Sequence, residues 1–183
     1  MADGLSWDII LIGGLIVLLS YNYILGQNAT VKLIVSLYIA ILTADGIVNS
    51  IRMYLIDPSP GWNEILGQHK DTVFIVARLL IFLATMVIFV IRGGFHISLT
   101  QHENWIYRLS IHTLFALMAS ILMISTVLIY MSGASFVEGM IAASTNPIHD
   151  TSVIARLFLD YYQIWFSLPA IAFLVMSFIE TDE

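Results

Sequence analysis

Long apolar runs, separated by short polar segments, make up most of the chain. Each run is continuous rather than alternating and approaches the about 20 residues that a helix needs to cross a bilayer, which favours helices over a β-barrel. We therefore predict an all-α, polytopic transmembrane helical bundle that forms one domain over residues 1–183. Its five predicted spans cover residues 9–25, 31–56, 71–91, 106–130 and 151–179.

The last run leaves an alternative with four spans open. The run carries Arg156 and Asp160 one helical turn apart and has Pro169 near its middle. In the alternative, residues 151–162 lie along the membrane surface and only residues 163–179 enter the bilayer. These about 17 residues are at the lower limit of length for a helix that crosses a membrane.

The composition indicates a membrane protein and argues against some classes of partner. Hydrophobic residues make up 59% of the 183 positions and charged residues 11%, against about 45–50% and about 25% in soluble domains. The mean hydropathy is +0.90. The net charge of −6 argues against a nucleic-acid partner, and the absence of cysteine excludes disulfides and thiolate metal sites. The lipid bilayer is thus the first partner that the sequence predicts.

Basic residues at the ends of the predicted spans indicate an orientation. Lys32, Arg92 and Arg108 flank one side of the bundle, whereas Arg52 and Lys70 flank the other. Under the positive-inside rule, the side with more basic residues is cytoplasmic. The sequence therefore predicts a multi-pass protein of the plasma or inner membrane, with its N-terminus outside and its C-terminus in the cytoplasm.

Charged side chains inside the predicted spans form the candidate site. Counting a helical rise of about 1.5 Å per residue places five of them in the same half of the bilayer: Asp45, Arg52, Arg78, Arg156 and Asp160. We predict that all of these except Arg52 form one polar cluster between the second, third and fifth spans. In one interpretation they are satisfied pairs, with Arg156 and Asp160 neutralising each other one turn apart and Asp45 capped by an arginine or by Asn49. In the other they form a path for an ion, a proton or a polar substrate, since intramembrane charges are costly and often functional.

Small residues recur every four positions on two of the predicted helices. These stripes consist of Ser36, Ala40 and Ala44 on the second span, and of His112, Ala116 and Ser120 on the fourth. Such spacing lets helices approach closely, so we predict that both stripes are helix-packing surfaces. Because two stripes exceed what a five-helix bundle requires, one is expected to face a partner, either a second copy of the chain or another membrane protein.

The sequence carries no spacing that is typical of an enzyme or a metal site. It lacks a Gly-x-Ser-x-Gly elbow and a glycine-rich phosphate loop. His96, His102 and Glu103 share a short predicted loop, but their spacing matches no standard set of metal ligands. We therefore expect no enzymatic activity, no metal and no cofactor.

Two segments resemble the colicin V production protein family. The opening WDIILIGGLIVLLSYNYILGQNATVKLIVSLYIAIL is similar to the start of that family, with a Trp-Asp-Ile-Ile beginning, a short first span and a tight glycine turn. The segment WIYRLSIHTLFALMASILMISTVLIYM is similar to a later span of the family. The turn departs from the family pattern, because Gln, Asn, Ala and Thr follow Gly26 where the family has Arg or Lys with Gly. The resemblance implies a bacterial inner-membrane protein that serves envelope homeostasis or secretion, and it transfers no site residue.

These observations favour a non-enzymatic integral membrane protein that acts in envelope maintenance or in the assembly of a membrane complex. The alternative function is an oligomeric channel, or a transporter coupled to ions or protons, that uses the predicted cluster of charges inside the membrane.

Overall fold

The structure is a bundle of α-helices, which confirms the predicted all-α class. This computed structural model describes residues 7–93, 105–136, 149 and 151–180. Its helices are α1 (Trp7–Leu25), α2 (Gln27–Ile51), α3 (Pro60–Leu66), α4 (Lys70–Arg92), α5 (Trp105–Met131), α6 (Val153–Asp160) and α7 (Tyr162–Glu180). A π-helical turn over Arg52–Ile56 extends α2, and a 3-10 turn over Gly67–His69 leads into α4. Within the residues described, four helices are each long and apolar enough to cross a membrane, namely α1, α2 with its extension, α4 and α5, and α6 together with α7 makes a fifth if the bent pair is one span.

A single glycine makes the turn between α1 and α2. Gly26 has a φ of 83°, a conformation that side-chain-bearing residues rarely adopt, and α2 starts at the next residue. The hydroxyl of Thr30 donates to the carbonyl oxygens of Gly26 at 3.0 Å and Asn22 at 3.2 Å, which satisfies acceptors at the end of α1. The second span therefore begins at Gln27 rather than at residue 31. The polar residues after Gly26 are its first turn and not a separate loop.

Helix α2 is the centre of the bundle. It packs mainly against α4 and α5 and, over a shorter contact, against α1. Its small residues allow this close packing, and its larger side chains fill the core together with rings from α4 and α5. Fully buried side chains in this core include Ile34, Leu37, Ile41, Phe82, Phe115, Leu122 and Ile129. By contrast, most of the side chains of α1 face outward, as expected for a helix that borders lipid.

The fifth predicted span is not one helix. Residues 151–179 contain α6 and α7, whose axes differ by 60° across a break at Tyr161. The indole Nε1 of Trp165 on α7 donates to the carbonyl oxygen of Leu157 on α6 at 3.2 Å, so an acceptor left open at the break is satisfied. Pro169 lies inside α7 and does not cause the break. The break falls next to the boundary that the four-span alternative places at residue 162.

Exposed ion pairs on Asp57 join the end of α2 to the start of α4. The ammonium Nζ of Lys70 lies 2.7 Å from Oδ1 of Asp57, and Nε of Arg52 lies 3.8 Å from Oδ2 of the same carboxylate. The hydrogen bond from Lys70, reinforced by the charges of Lys70 and Arg52, lowers the pKa of Asp57 below its ordinary value of 3.8. The pairing thus favours the ionised carboxylate.

Acidification is expected to weaken this connection. Because the pKa of Asp57 is lower in the folded chain, the pairing contributes stability above the ordinary carboxyl pKa and loses it as the pH falls through the lowered value. We expect a carbon-13 NMR titration in detergent micelles to give a midpoint for the Asp57 carboxyl below 3.8, and Lys70→Gln to raise that midpoint. A midpoint unchanged by Lys70→Gln contradicts the assignment of this pairing.

Candidate functional site

A buried ion pair joins α2 to α4. Asp45 on α2 has an exposed fraction of 0% and Arg78 on α4 one of 2%. Nε of Arg78 lies 3.2 Å from Oδ1 of Asp45. These two atoms are not aligned for a hydrogen bond, so their contact is chiefly electrostatic. Charges so deeply buried require compensation by partners within the fold.

Both terminal nitrogens of Arg78 donate hydrogen bonds to other elements. Nη1 donates to the carbonyl oxygen of Ala134 at 2.8 Å, and Nη2 donates to Oδ1 of Asn49 at 2.7 Å. The centre of the guanidinium group lies 5.7 Å from the centroid of the Tyr130 ring, within the range of a cation–π interaction. Arg78 therefore connects α2, α4 and the end of α5.

Asp45 bonds the backbone that follows α5. Its Oδ2 accepts the N–H of Phe136 at 2.8 Å. Nearby, Nδ2 of Asn49 donates to the hydroxyl of Ser135 at 3.1 Å. We call residues 132–136 the post-α5 segment. Both charges of the buried pair thus hold this segment, Arg78 through a carbonyl oxygen and Asp45 through an amide.

Gly133 allows the post-α5 segment to turn onto the ion pair. Its φ is 79°, which favours glycine, and a Cβ atom at this position would lie 3.6 Å from Cδ1 of Ile75. Ala134 and Ser135 are buried beside the pair. A non-helical backbone is stable at membrane depth only where protein groups satisfy its polar atoms. Here the side chains of Asp45, Asn49 and Arg78 supply those partners.

Two of the four residues in the predicted cluster lie elsewhere. Arg156 and Asp160 are on the exposed face of α6 and take no part in the contacts around Asp45 and Arg78 that the described residues make. The side chain of Asp160 is 51% exposed, and its Oδ1 lies 3.1 Å from Nε2 of His149. The prediction of one cluster of four charges is therefore wrong. The depth count assumed one straight helix, whereas the bend at Tyr161 turns α6 away from the direction of a span.

The predicted pair between Arg156 and Asp160 is also absent from the ion pairs of the described residues. Both side chains are exposed on α6, and Asp160 lies against His149 instead. Exposed pairs at this spacing add only about 0.3–0.5 kcal/mol, so a competing partner readily displaces them.

Both predicted packing stripes are buried within this chain. Their small residues have exposed fractions of 0–1%, and the set comprises Ser36, Ala40, Ala44, Ala116 and Ser120. The hydroxyls of Ser36 and Ser120 donate to carbonyl oxygens one turn earlier, at 2.8 and 2.7 Å, so neither needs an outside partner. The expectation that one stripe faces a partner is therefore wrong. The helices of the chain itself occupy both surfaces.

A second polar group of side chains surrounds Asn22 at the other end of the bundle. Asn22 is 1% exposed, and its Nδ2 donates to the hydroxyl of Ser120 at 3.1 Å. Nε2 of His112 lies 3.2 Å from the carbonyl oxygen of Asn22, and the His112 ring lies 5.0 Å from that of Tyr23. His112 thus serves as a polar group in helix packing. The sequence pattern did not single out Asn22, because its neighbours Tyr21 and Tyr23 resemble an aromatic membrane belt.

Sequence reasoning also missed the contributions of Tyr130 and the backbone after α5. Asn49 follows Asp45 by one turn, and this spacing indicated in the sequence that Asn49 could cap Asp45. In the structure, its side chain bonds Arg78 and Ser135. His96, His102 and Glu103 lie outside the described residues. Within the described ranges, no three His, Cys, Asp or Glu side chains are grouped so that they could hold a metal ion.

Comparison with known proteins adds no relative. No protein-family model, no curated protein and no solved structure matches this chain. The resemblance to the colicin V production protein family therefore gains no support from these comparisons.

Proposed function

We propose that this chain is a non-enzymatic integral membrane protein that acts in envelope maintenance or in the assembly of a membrane complex. The observation that carries the proposal is the burial of the Asp45–Arg78 pair, whose partners include groups from α2, α4 and the post-α5 segment. This polar chemistry serves to hold helices together. The buried pair and its partners thus stabilise the bundle rather than act on a substrate.

Burial distinguishes a structural pair from a transport path. Groups on a path for ions or protons must meet water or the transported species, whereas the side chains of Asp45 and Arg78 are 0% and 3% exposed. Arg78 also donates to Asn49 and Ala134, so a conducting role requires breaking several strong bonds at once. This arrangement favours a scaffold over a transporter.

The outer surface of the bundle supports an assembly role. Helix α1 packs on α2, α5 and α6 but leaves much of its length apolar and outward-facing, with exposed side chains that include Ile9, Ile16, Val17 and Ile24. Such a surface fits lipid and the helices of a second copy or of another membrane protein equally well. We propose an oligomer or a complex of this kind in a bacterial inner membrane. The bias of Lys and Arg supports an outside N-terminus and a cytoplasmic C-terminus.

Proton and cation flux in proteoliposomes tests the scaffold against the transporter. We expect the wild-type chain to conduct no faster than empty liposomes, and Asp45→Asn to change its stability but not its flux. Asp160→Asn is the matched control, since this carboxylate is exposed on α6. Flux in the wild type that disappears in Asp45→Asn, with unchanged stability, would instead establish the transporter.

The mass of the protein in mild detergent tests the assembly role itself. We expect light scattering to report a defined oligomer or a stoichiometric complex with another membrane protein. A monomer at all concentrations, with no partner chain after crosslinking in the native membrane, contradicts the proposal. A stable ring that conducts ions favours the channel.

A further inference from the structure

The exposed face of α6 is divided into an apolar edge and a charged edge. Successive residues of an α-helix are about 100° apart, so Val153, Leu157 and Tyr161 share one edge of this face. Arg156 and Asp160 share the adjoining edge. The opposite side of α6 is buried against the bundle through Ala155, Phe158 and Leu159.

A carboxylate from α1 fixes the start of α6. Oδ1 of Asp8 accepts from the hydroxyl of Ser152 at 2.6 Å and from the N–H of Ile154 at 3.2 Å. The Ser152 hydroxyl in turn accepts the N–H of Ala155 at 3.0 Å and so caps the helix. Because Asp8 is in the first turn of α1, α6 begins at the level where α1 enters the membrane.

By backbone length alone, α7 approaches what a crossing of the bilayer needs without α6. Its 19 residues extend about 28 Å at a rise of about 1.5 Å per residue, close to the about 30 Å of the hydrocarbon layer. The 60° bend at Tyr161 directs α6 away from this axis. Trp165 and Leu157 are bonded across the bend, so the angle is held by a specific contact. The start of α6 beside the first turn of α1 and its angle to α7 both indicate that α6 lies at the membrane surface.

The charged edge of α6 presents a cation. Asp160 lies against His149 rather than against Arg156, and Arg156 is exposed. An exposed guanidinium group at the membrane surface matches the geometry of a phosphate, to which it donates two parallel hydrogen bonds. The adjoining edge offers the apolar side chains of Val153 and Leu157, which are 75% and 49% exposed.

We propose that α6 is an interfacial helix that binds the phospholipids of the surrounding bilayer. Val153, Leu157 and Tyr161 insert beside the upper acyl chains, and Arg156 donates to a lipid phosphate. Two edges of unlike polarity on one exposed face are the pattern expected of a helix that lies in the plane of the membrane. The proposal is independent of any assembly role, because it concerns contact with lipid alone.

The depth of spin labels along α6 tests this placement. The chain has no native cysteine, so Val153→Cys, Leu157→Cys and Arg156→Cys each give one labelling site. In vesicles of phosphatidylcholine and phosphatidylglycerol, we expect the labels at 153 and 157 to lie at similar depth, just below the phosphates. The label at 156, which is on the charged edge, is expected to be nearer to water. If α6 crosses the membrane, positions 153 and 157 differ by about 6 Å in depth, and that result overturns the proposal. Labels at 153 and 157 that are both in water, or both immobilised by a second copy of the chain, overturn it as well.

Arg156→Gln tests the contact with phosphate. In the same vesicles and in phosphate-free buffer, nitrogen-15 guanidinium signals of the wild type are expected to be dephased by lipid phosphorus-31, and one such signal is lost in Arg156→Gln. Arg108→Gln, at the other end of the bundle, is the control and leaves the Arg156 signal in place. Because Arg156 is exposed, its variant is expected to unfold at the wild-type temperature, which a parallel melt verifies. An unchanged set of dephased signals in Arg156→Gln overturns the phosphate contact.

Discussion

Asp45→Asn is expected to lower the free energy of unfolding by about 3–5 kcal/mol, as is typical when one partner of a buried ion pair is removed. Asparagine has nearly the shape of aspartate, so the change removes the charge and little else. Arg78 then keeps its positive charge inside the bundle at 2% exposure, without the carboxylate 3.2 Å away. The N–H of Phe136 also loses a charged acceptor. Unfolding in mixed micelles, followed by circular dichroism, measures the effect.

Two further variants distinguish the effect of the unpaired buried charge from other effects of the substitution. Asp160→Asn removes an exposed carboxylate and is expected to cost no more than about 1 kcal/mol. The double variant Asp45→Leu with Arg78→Met removes both charges and is expected to be more stable than Asp45→Asn alone, because no buried charge remains unpaired. A double variant less stable than Asp45→Asn would contradict this account of the pair. It would show that the bonds to the post-α5 segment matter more than charge balance.

Ala44→Leu is expected to destabilise the bundle by about 1–3 kcal/mol, the usual range for side chains added to a well-packed core. Ala44 is fully buried in the stripe of α2 that packs against its neighbours. In a membrane, packing supplies most of the energy that holds helices together, because lipid tails are as apolar as leucine. A larger side chain there separates α2 from its neighbours and disturbs Asp45, the next residue.

Gly46→Leu is the matched control for this prediction. Gly46 is two residues further along α2, and a Cβ atom at this position would meet nothing within 4 Å. We expect Gly46→Leu to leave the unfolding transition within about 0.5 kcal/mol of the wild type or to stabilise it slightly, since leucine is the better helix former. If Ala44→Leu and Gly46→Leu are equally destabilised, the small residues of the α2 stripe are not required for close packing.

The sequence was sufficient to predict those helices that a long, continuous apolar run specifies. The runs that became α1, α2, α4 and α5 are long and continuous, and length is the property that a bilayer imposes. The depth count also placed Asp45 and Arg78 in the same half of the bilayer, and the structure brings their charged groups within 3.2 Å of each other. Where the helix is straight, rise per residue is a reliable measure of depth.

The same count failed for Arg156 and Asp160 because it had no means to detect the bend at Tyr161. The bend is accompanied by a hydrogen bond from Trp165 to a backbone carbonyl oxygen, a contact that leaves no periodic pattern in the sequence. The partners of the buried pair could not be predicted from the sequence for a related reason. Ala134 and Phe136 contribute backbone atoms, so the identity of their side chains says nothing about their role.

The bond between Asp8 and Ser152 joins positions 144 residues apart. At least 144 residues after Asp8 must therefore be made before this contact can form, and α1 must be held in the membrane until then without α6 as a neighbour. Insertion of α1 and completion of the bundle are thus separate events in time. A defect at Asp8 would first appear late in biogenesis, as a correctly inserted chain whose last segment fails to dock.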